Sequence, residues 1–138
     1  MAGERDLAKL LSGMKPVLNA GRYVYVTVPG EAPEGVTPVV TVGEPEGLTL
    51  VVRQEQADAA GLPYDYVAGW ITLRIHSALE AVGLTAAVSQ ALAQADLSCN
   101  VVAGFHHDHL FVPYERAEEA VGVLETLASA AAWDRSGG

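Results

Sequence analysis

The sequence predicts an α+β protein in which helices cover one face of an antiparallel sheet. Half of the 138 residues are apolar, which is enough for one solid core or for two small cores that share an interface. Short β-branched and aromatic runs are separated by glycine and proline, a pattern typical of strands and turns. Two later stretches instead place apolar residues at helical spacing.

The first half of the chain supplies strands and only short helices. Leu7, Leu10, Leu11 and Met14 have helical spacing and predict a short amphipathic helix that ends before Pro16. We predict strands over 22–28, 39–42 and 48–52, and a short helix over 54–60. A polar, turn-rich stretch near Tyr66 divides the chain, so we predict an N-terminal domain over 1–66 and a C-terminal domain over 67–135.

The second half has more regular patterns. Residues 70–76 alternate, which predicts a strand with one apolar face (Ile71, Leu73, Ile75) and one partly wet face (Trp70, Thr72, Arg74, His76). A helix is predicted over 84–95, strands over 99–104 and 109–112 joined by a turn at 105–108, and a final helix from about Ala117 to Ala131.

This order of strand, helix, strand, strand and helix is a ferredoxin-like βαββαβ unit that lacks only its last strand. The strand-rich N-terminal half is the obvious donor of the missing strand. We therefore expect the halves to share or exchange strands, and we expect a chain cut near Tyr66 to give two poorly folded pieces.

Composition excludes several classes of function. The formal net charge is −9 with only eight Lys and Arg, so the chain cannot supply the basic face that nucleic acid requires. The lone Cys99 excludes an internal disulfide and a metal site built on paired cysteines. The apolar runs are far shorter than the roughly 20 residues of a membrane-spanning helix. We expect a soluble cytoplasmic protein whose partners are metabolites or proteins.

The densest chemistry lies in His106, His107, Asp108 and His109. Adjacent residues of a strand point to opposite faces, so this run cannot easily surround one ion, and it lacks the helical spacing of zinc motifs. We favour a hairpin turn with Asp108 as the turn residue. A metal-dependent enzyme centred on these histidines is the alternative. Cys99 has no activating neighbour in the sequence, so we predict no catalytic residue, no metal and no cofactor.

A family resemblance rests on several motifs that occur in order. They are the strand WITLRIH, the Val82-Gly83-Leu84 helix start, the Asn100-Val101-Val102 strand and the hairpin HDHLFVP. Together they resemble the carboxyl half of small bacterial proteins with two tandem ACT-like domains, and MKPVLNAGRYVYVTVP resembles the amino-terminal domain of that family. The resemblance implies tandem ferredoxin-like domains, a homodimer, and a regulatory protein that binds an amino acid or a similar small effector.

The resemblance also implies a ligand-binding site. It assigns backbone contacts to Val82, Gly83 and Leu84, and the facing wall to Asn100, Val101 and Val102. A helix start has unsatisfied N–H groups at the positive end of the helix dipole, which attract a carboxylate. The alternative is that Gly83 only permits a tight turn and Asn100 satisfies a local backbone group. A further alternative for the protein as a whole is a structural module that dimerises or docks through exposed sheet edges.

Overall fold

A computed structural model describes residues 6–75 and 83–135 of the chain. It is a six-stranded antiparallel sheet with helices on one face, in the strand order β2-β3-β1-β4-β6-β5, and the predicted α+β fold is confirmed. The elements are, in chain order, α1 (Leu7–Gly13), β1 (Lys15–Val28), β2 (Val40–Glu44), β3 (Gly47–Arg53), α2 (Gln54–Ala59), β4 (Val67–Arg74), α3 (Leu84–Gln94), β5 (Asn100–Ala103), β6 (Asp108–Pro113), a 3-10 helix (Tyr114–Arg116) and α4 (Ala117–Arg135).

The two central strands, β1 and β4, each belong to two ferredoxin-like units. The first unit has the strand order β2-β3-β1-β4, and the second has the order β5-β6-β4-β1. When the strands of each unit are counted from its own first strand, both orders read 2-3-1-4. The strand missing from the C-terminal half is thus β1, donated by the N-terminal half, and the expectation that the halves share strands is confirmed.

Strand β1 is twice as long as the sequence predicts, because it starts at Lys15 rather than Arg22. Its first part pairs with β4 from Lys15 to Asn19. The register then shifts between Asn19 and Tyr23, where Gly21 adopts a φ of 103°. This conformation is easy only for glycine and marks a β-bulge. The Tyr23 hydroxyl donates to the Ala20 carbonyl at 3.0 Å and so bridges the bulge.

The helices of residues 6–75 and 83–135 pack on one face of the sheet, over two apolar clusters. The larger cluster joins α1, α3 and α4 to β4 and β6, and the smaller joins α2 to β1 and β3. In the first unit the connection between β1 and β2 is not helical; it buries Val36 against the smaller cluster in the place where the second unit has α3. The expectation of strands and only short helices in the first half is confirmed.

The opposite face of the sheet carries no helix in the part of the chain that the structure describes. Ile71, Leu73 and Ile75 point to the helices, as predicted, whereas Trp70 lies on the other face. There its ring meets Tyr23 edge-on at 5.3 Å and stacks on Phe111 at 6.2 Å. His76, predicted for this face, lies outside the described residues.

The predicted hairpin between β5 and β6 is present, but its turn is shifted by one residue, from the predicted 105–108 to 104–107. The Gly104 N–H donates to the His107 carbonyl at 2.9 Å and closes the turn. Asp108 is therefore not the turn residue that the sequence predicts. It is the first residue of β6 and lies opposite both Ala103 and Leu73, because strand pairing on both sides extends β6 by one residue. No helix of the described residues is long and apolar enough to cross a membrane.

Candidate ligand-binding site

The start of α3 has the features of an uncapped helix N-terminus. Gly83 is the N-cap, with a φ of 104°, and it offers no side chain to bind the first N–H groups. Its carbonyl accepts from the Ala87 N–H at 2.8 Å. Leu84 is only 3 % exposed and packs in the larger core, so its side chain is not available to a ligand. Val82 lies outside the described residues.

The residues predicted to form the facing wall do not share one face of β5. Asn100 is exposed, Val101 packs against the helical core, and Val102 packs against the aromatic cluster of the opposite face. Asn100 is level with Trp70, whereas the end of β5 at Ala103 is level with Leu73, close to where the chain leaves β4 for α3. Asn100 therefore lies about 10 Å along the sheet from that end. Joint ligand binding by the two groups of residues stays a prediction.

The histidines of the hairpin lie in different surroundings. His109 accepts at Nδ1 from the Trp70 indole N–H at 3.1 Å, and the Thr72 hydroxyl lies 3.2 Å from the same nitrogen. The Asn19 amide donates to Thr72 Oγ1 at 3.0 Å, which leaves the hydroxyl proton for His109. A nitrogen that accepts two hydrogen bonds is unprotonated, so the neutral ring carries its proton on Nε2. Burial lowers the pKa of His109 below its ordinary value, which favours the same neutral form.

The other two histidines take no part in this network. His107 Nδ1 lies 3.4 Å from the Ile75 carbonyl, and His106 is exposed beside the Phe105 ring. Within residues 6–75 and 83–135, no three His, Cys, Asp or Glu side chains come together as a metal site. This dispersal supports the interpretation of the run as a hairpin.

A second candidate site is an open cleft between the two halves, with a volume of about 450 Å³. Its walls come from the bulge of β1, the start of α2, the segment before β4, and the 3-10 helix. The lining residues are Arg22, Gln54, Asp65, Tyr66, Val67, Pro113, Tyr114, Glu115 and Arg116. This cleft was not predicted from the sequence, because its residues come from distant parts of the chain.

The cleft contains one guanidinium without an acidic partner among the described residues. The Arg22 side chain lies over the Tyr114 ring, with its guanidinium carbon 4.4 Å from the ring centre, and no ion pair joins it to a carboxylate of the described residues. Arg116 differs, because its guanidinium pairs with Glu119 at 2.8 Å and donates to the Asp96 carbonyl at 2.7 Å. Arg22 is thus the cation of this cleft that is left for a ligand.

The cleft also contains carboxylates that have no partner in the part of the chain that the structure describes. Neither Asp65 nor Glu115 has an ion pair or a side-chain hydrogen bond within the described part of the chain, although both line the cleft with Arg22. The Gln54 amide donates to the Tyr64 hydroxyl at 3.0 Å, so its amide oxygen remains available. The cleft therefore offers unpaired groups of both charges to a small molecule.

Comparison with known proteins identifies the family of both halves. An ACT-domain family model matches residues 2–69, and a second ACT-domain model matches residues 66–126. No match was found among curated proteins. A similar solved structure is VC0802 from Vibrio cholerae, described as a protein of unknown function and possible transport protein. It is 47 % identical over 88 % of this chain and 95 % of that chain, with a TM-score of 0.81.

More distant solved structures share the fold. Atu0741 from Agrobacterium tumefaciens is 16 % identical over 83 % of this chain and 89 % of that chain, with a TM-score of 0.65. The regulatory subunit of aspartate kinase from Thermus thermophilus is 12 % identical over 81 % of this chain and 95 % of that chain, with a TM-score of 0.59. The chain belongs to the ACT-domain family, whose domains have a regulatory role in binding small molecules, and it consists of two tandem ACT domains.

Proposed function

We propose that this protein is a regulatory sensor that binds a free amino acid and catalyses no reaction. The observation that carries the proposal is the cleft between the two ACT units, in which Arg22, Asp65 and Glu115 present charges of both signs that form no ion pair with other described residues. A free amino acid has a carboxylate and an ammonium group, and it complements such a site. The fold shared with the regulatory subunit of aspartate kinase from Thermus thermophilus is compatible with this role.

The start of α3 is the other place where such a ligand can bind. Its first N–H groups have no side-chain cap, and the helix dipole favours a carboxylate there. Backbone binding by Val82, Gly83 and Leu84, with Asn100, Val101 and Val102 opposite, is the arrangement that the family resemblance implies. Replacement of the exposed Asn100 by Ala tests it, since a ligand that contacts the amide loses affinity in this variant.

A thermal-shift screen against the common amino acids tests the function. A ligand that binds only the folded chain stabilises it by about 2.7 kcal/mol at a hundredfold excess over its dissociation constant. We expect at least one amino acid to raise the melting temperature in proportion to the logarithm of its concentration. Mass spectrometry of that amino acid after prolonged incubation should find it unchanged. If the whole set leaves the melting temperature unmoved, the proposal fails.

We further propose that the protein acts as a homodimer. Strands β2 and β5 are the edges of the sheet, and an edge strand presents unpaired backbone groups that a second copy can bind. The helix-free face also carries aromatic residues such as Trp70 and Tyr25 that are only partly buried. Light scattering at micromolar concentration tests this point, and a monomeric mass would contradict it.

A further inference from the structure

We propose that the cleft between the halves binds an α-amino acid with a basic side chain, with Arg22 holding its carboxylate and Asp65 and Glu115 holding its two cationic groups. This inference rests on the proposed function and adds to it the site and the chemical class of the ligand. It is independent of the site at the start of α3.

The exposed Arg22 side chain stacks on Tyr114 in an arrangement that suits a carboxylate. Arg22 follows the bulge at Gly21 and lines the cleft, and the Tyr114 ring contacts one face of its guanidinium. A stacked guanidinium keeps its N–H edges free, and these edges match the two oxygens of a carboxylate. Stacking also fixes the side chain before the ligand arrives, which reduces the entropy lost on binding.

Arg53 provides an internal comparison. Its guanidinium also lies over a tyrosine, at 5.6 Å from the centre of the Tyr23 ring, but Glu55 Oε1 lies 3.7 Å from its Nη1. It does not line the cleft between the halves. Arg22 thus differs from Arg53 in forming no ion pair with a carboxylate of the described residues, and a ligand carboxylate can take that role.

The balance of charge in the cleft selects the class of amino acid. One unpaired guanidinium and the unpaired carboxylates of Asp65 and Glu115 complement a ligand with one negative and two positive groups. An amino acid with a neutral side chain would leave one of these carboxylates unpaired. A volume of about 450 Å³ is within the range of small-molecule sites and holds a ligand of this size.

The test is isothermal titration calorimetry on the full chain with L-lysine, L-arginine, L-ornithine and L-norleucine. Norleucine has the carbon skeleton of lysine without the side-chain ammonium. We expect a basic amino acid to bind at least tenfold more tightly than norleucine. R22Q should weaken its binding by about ten- to a hundredfold, the usual effect of losing hydrogen bonds to a charged group. The matched control R53Q should stay within twofold of the wild type, and D65N/E115Q should remove most of the preference for a basic ligand.

The outcomes separate this inference from the proposed function. If R22Q binds the basic amino acid as tightly as the wild type does, the ligand lies elsewhere and the inference is overturned, while amino-acid sensing stands. If only amino acids with neutral or acidic side chains bind, the assigned class is overturned. If no amino acid binds the wild type, both proposals fail. If R22Q lowers the melting temperature, Y114L provides a second test, because it removes only the ring beneath the guanidinium. Y114L should still weaken binding severalfold. Unchanged affinity in a folded Y114L would contradict the role of the stacking.

Discussion

Gly69 of β4 lies against Ala117 at the start of α4, and its replacement by Ala should destabilise the fold. A Cβ at position 69 would lie 2.7 Å from Ala117 Cβ, with Leu18 Cδ1 at 3.7 Å and the Tyr114 Cα at 3.8 Å. Carbon atoms in contact are about 3.5–4.0 Å apart. The helix start must therefore move away from the sheet by about 1 Å, or the strand must bend by as much.

The expected cost follows from the effects of overpacking. Extra methyl groups in a packed core cost about 1–3 kcal/mol. A117G removes the opposing methyl and alone should cost about 1–2 kcal/mol, from about 0.8 kcal/mol of lost burial and up to about 1 kcal/mol of helix propensity. In the double variant the new methyl at position 69 fills the space vacated at position 117. The double variant should therefore be more stable than the sum of the single costs predicts, by about 1–3 kcal/mol.

Urea denaturation followed by circular dichroism measures all three variants. G69A should lower the urea concentration at the denaturation midpoint. The loss of stability in G69A/A117G should be much smaller than the sum of the losses in G69A and A117G. Gly122→Ala is the control, because a Cβ at Gly122 meets nothing within 4 Å and lies on α4. It should stabilise the chain by up to about 1 kcal/mol through helix propensity. Additive costs for G69A and A117G would show that the contact between β4 and α4 does not limit packing here.

Further predictions concern single groups. Burial lowers the folded pKa of His109 below 6.5, so as the pH falls the unfolded chain takes up a proton before the folded chain does. The free energy of unfolding of the wild type, measured by urea denaturation, should therefore decrease as the pH is lowered from 6.5 towards the folded pKa. An equal pH dependence in H109Q would contradict this. Burial raises the pKa of Cys99 to about 11, so little of it is the reactive thiolate at pH 8. Its alkylation by iodoacetamide at pH 8 should be at least tenfold slower than that of glutathione. Equal rates would contradict the burial of Cys99. In Gly21→Ala the residue must adopt a φ of 103°, and its Cβ would lie 2.7 Å from Arg53 Nη1. The substitution should lower the free energy of unfolding by about 1–2 kcal/mol. An unchanged melting temperature would show that the bulge relaxes freely.

Local patterns were sufficient for most elements of the fold, but not for β1. The alternation of 70–76 and the apolar stripe of 84–95 lie within single elements, and β4 and α3 match them closely. The first part of β1 contains Pro16, Asn19 and Gly21, which are poor strand formers. It is a strand because β4 pairs with it, and such a non-local contact cannot be read from the residues of one segment.

The candidate sites differ in how far the sequence could predict them. The start of α3 has a local signal, the glycine before an apolar helical stripe, and Gly83 is indeed the N-cap. The cleft has no such signal, because Arg22, Gln54, Asp65 and Tyr114 are brought together only by the pairing of β1 with β3 and β4, and of β4 with β6. The one local signal that relates to the cleft is Gly21 inside a strand-like run. An isolated glycine in a strand often marks a bulge, which redirects the next side chain.

The sharing of β1 and β4 should make the two ACT units unfold as one cooperative structure. A chain cut near Tyr66 would leave each unit without one of its central strands, so neither half has a complete sheet of its own. The walls of the cleft also come from both units, with Arg22 and Gln54 on one side and Tyr114 on the other. Calorimetry should therefore show a single unfolding transition, and a ligand in the cleft should shift all of it. Two separate transitions, only one of which moved with ligand, would mean that the shared strands do not couple the halves.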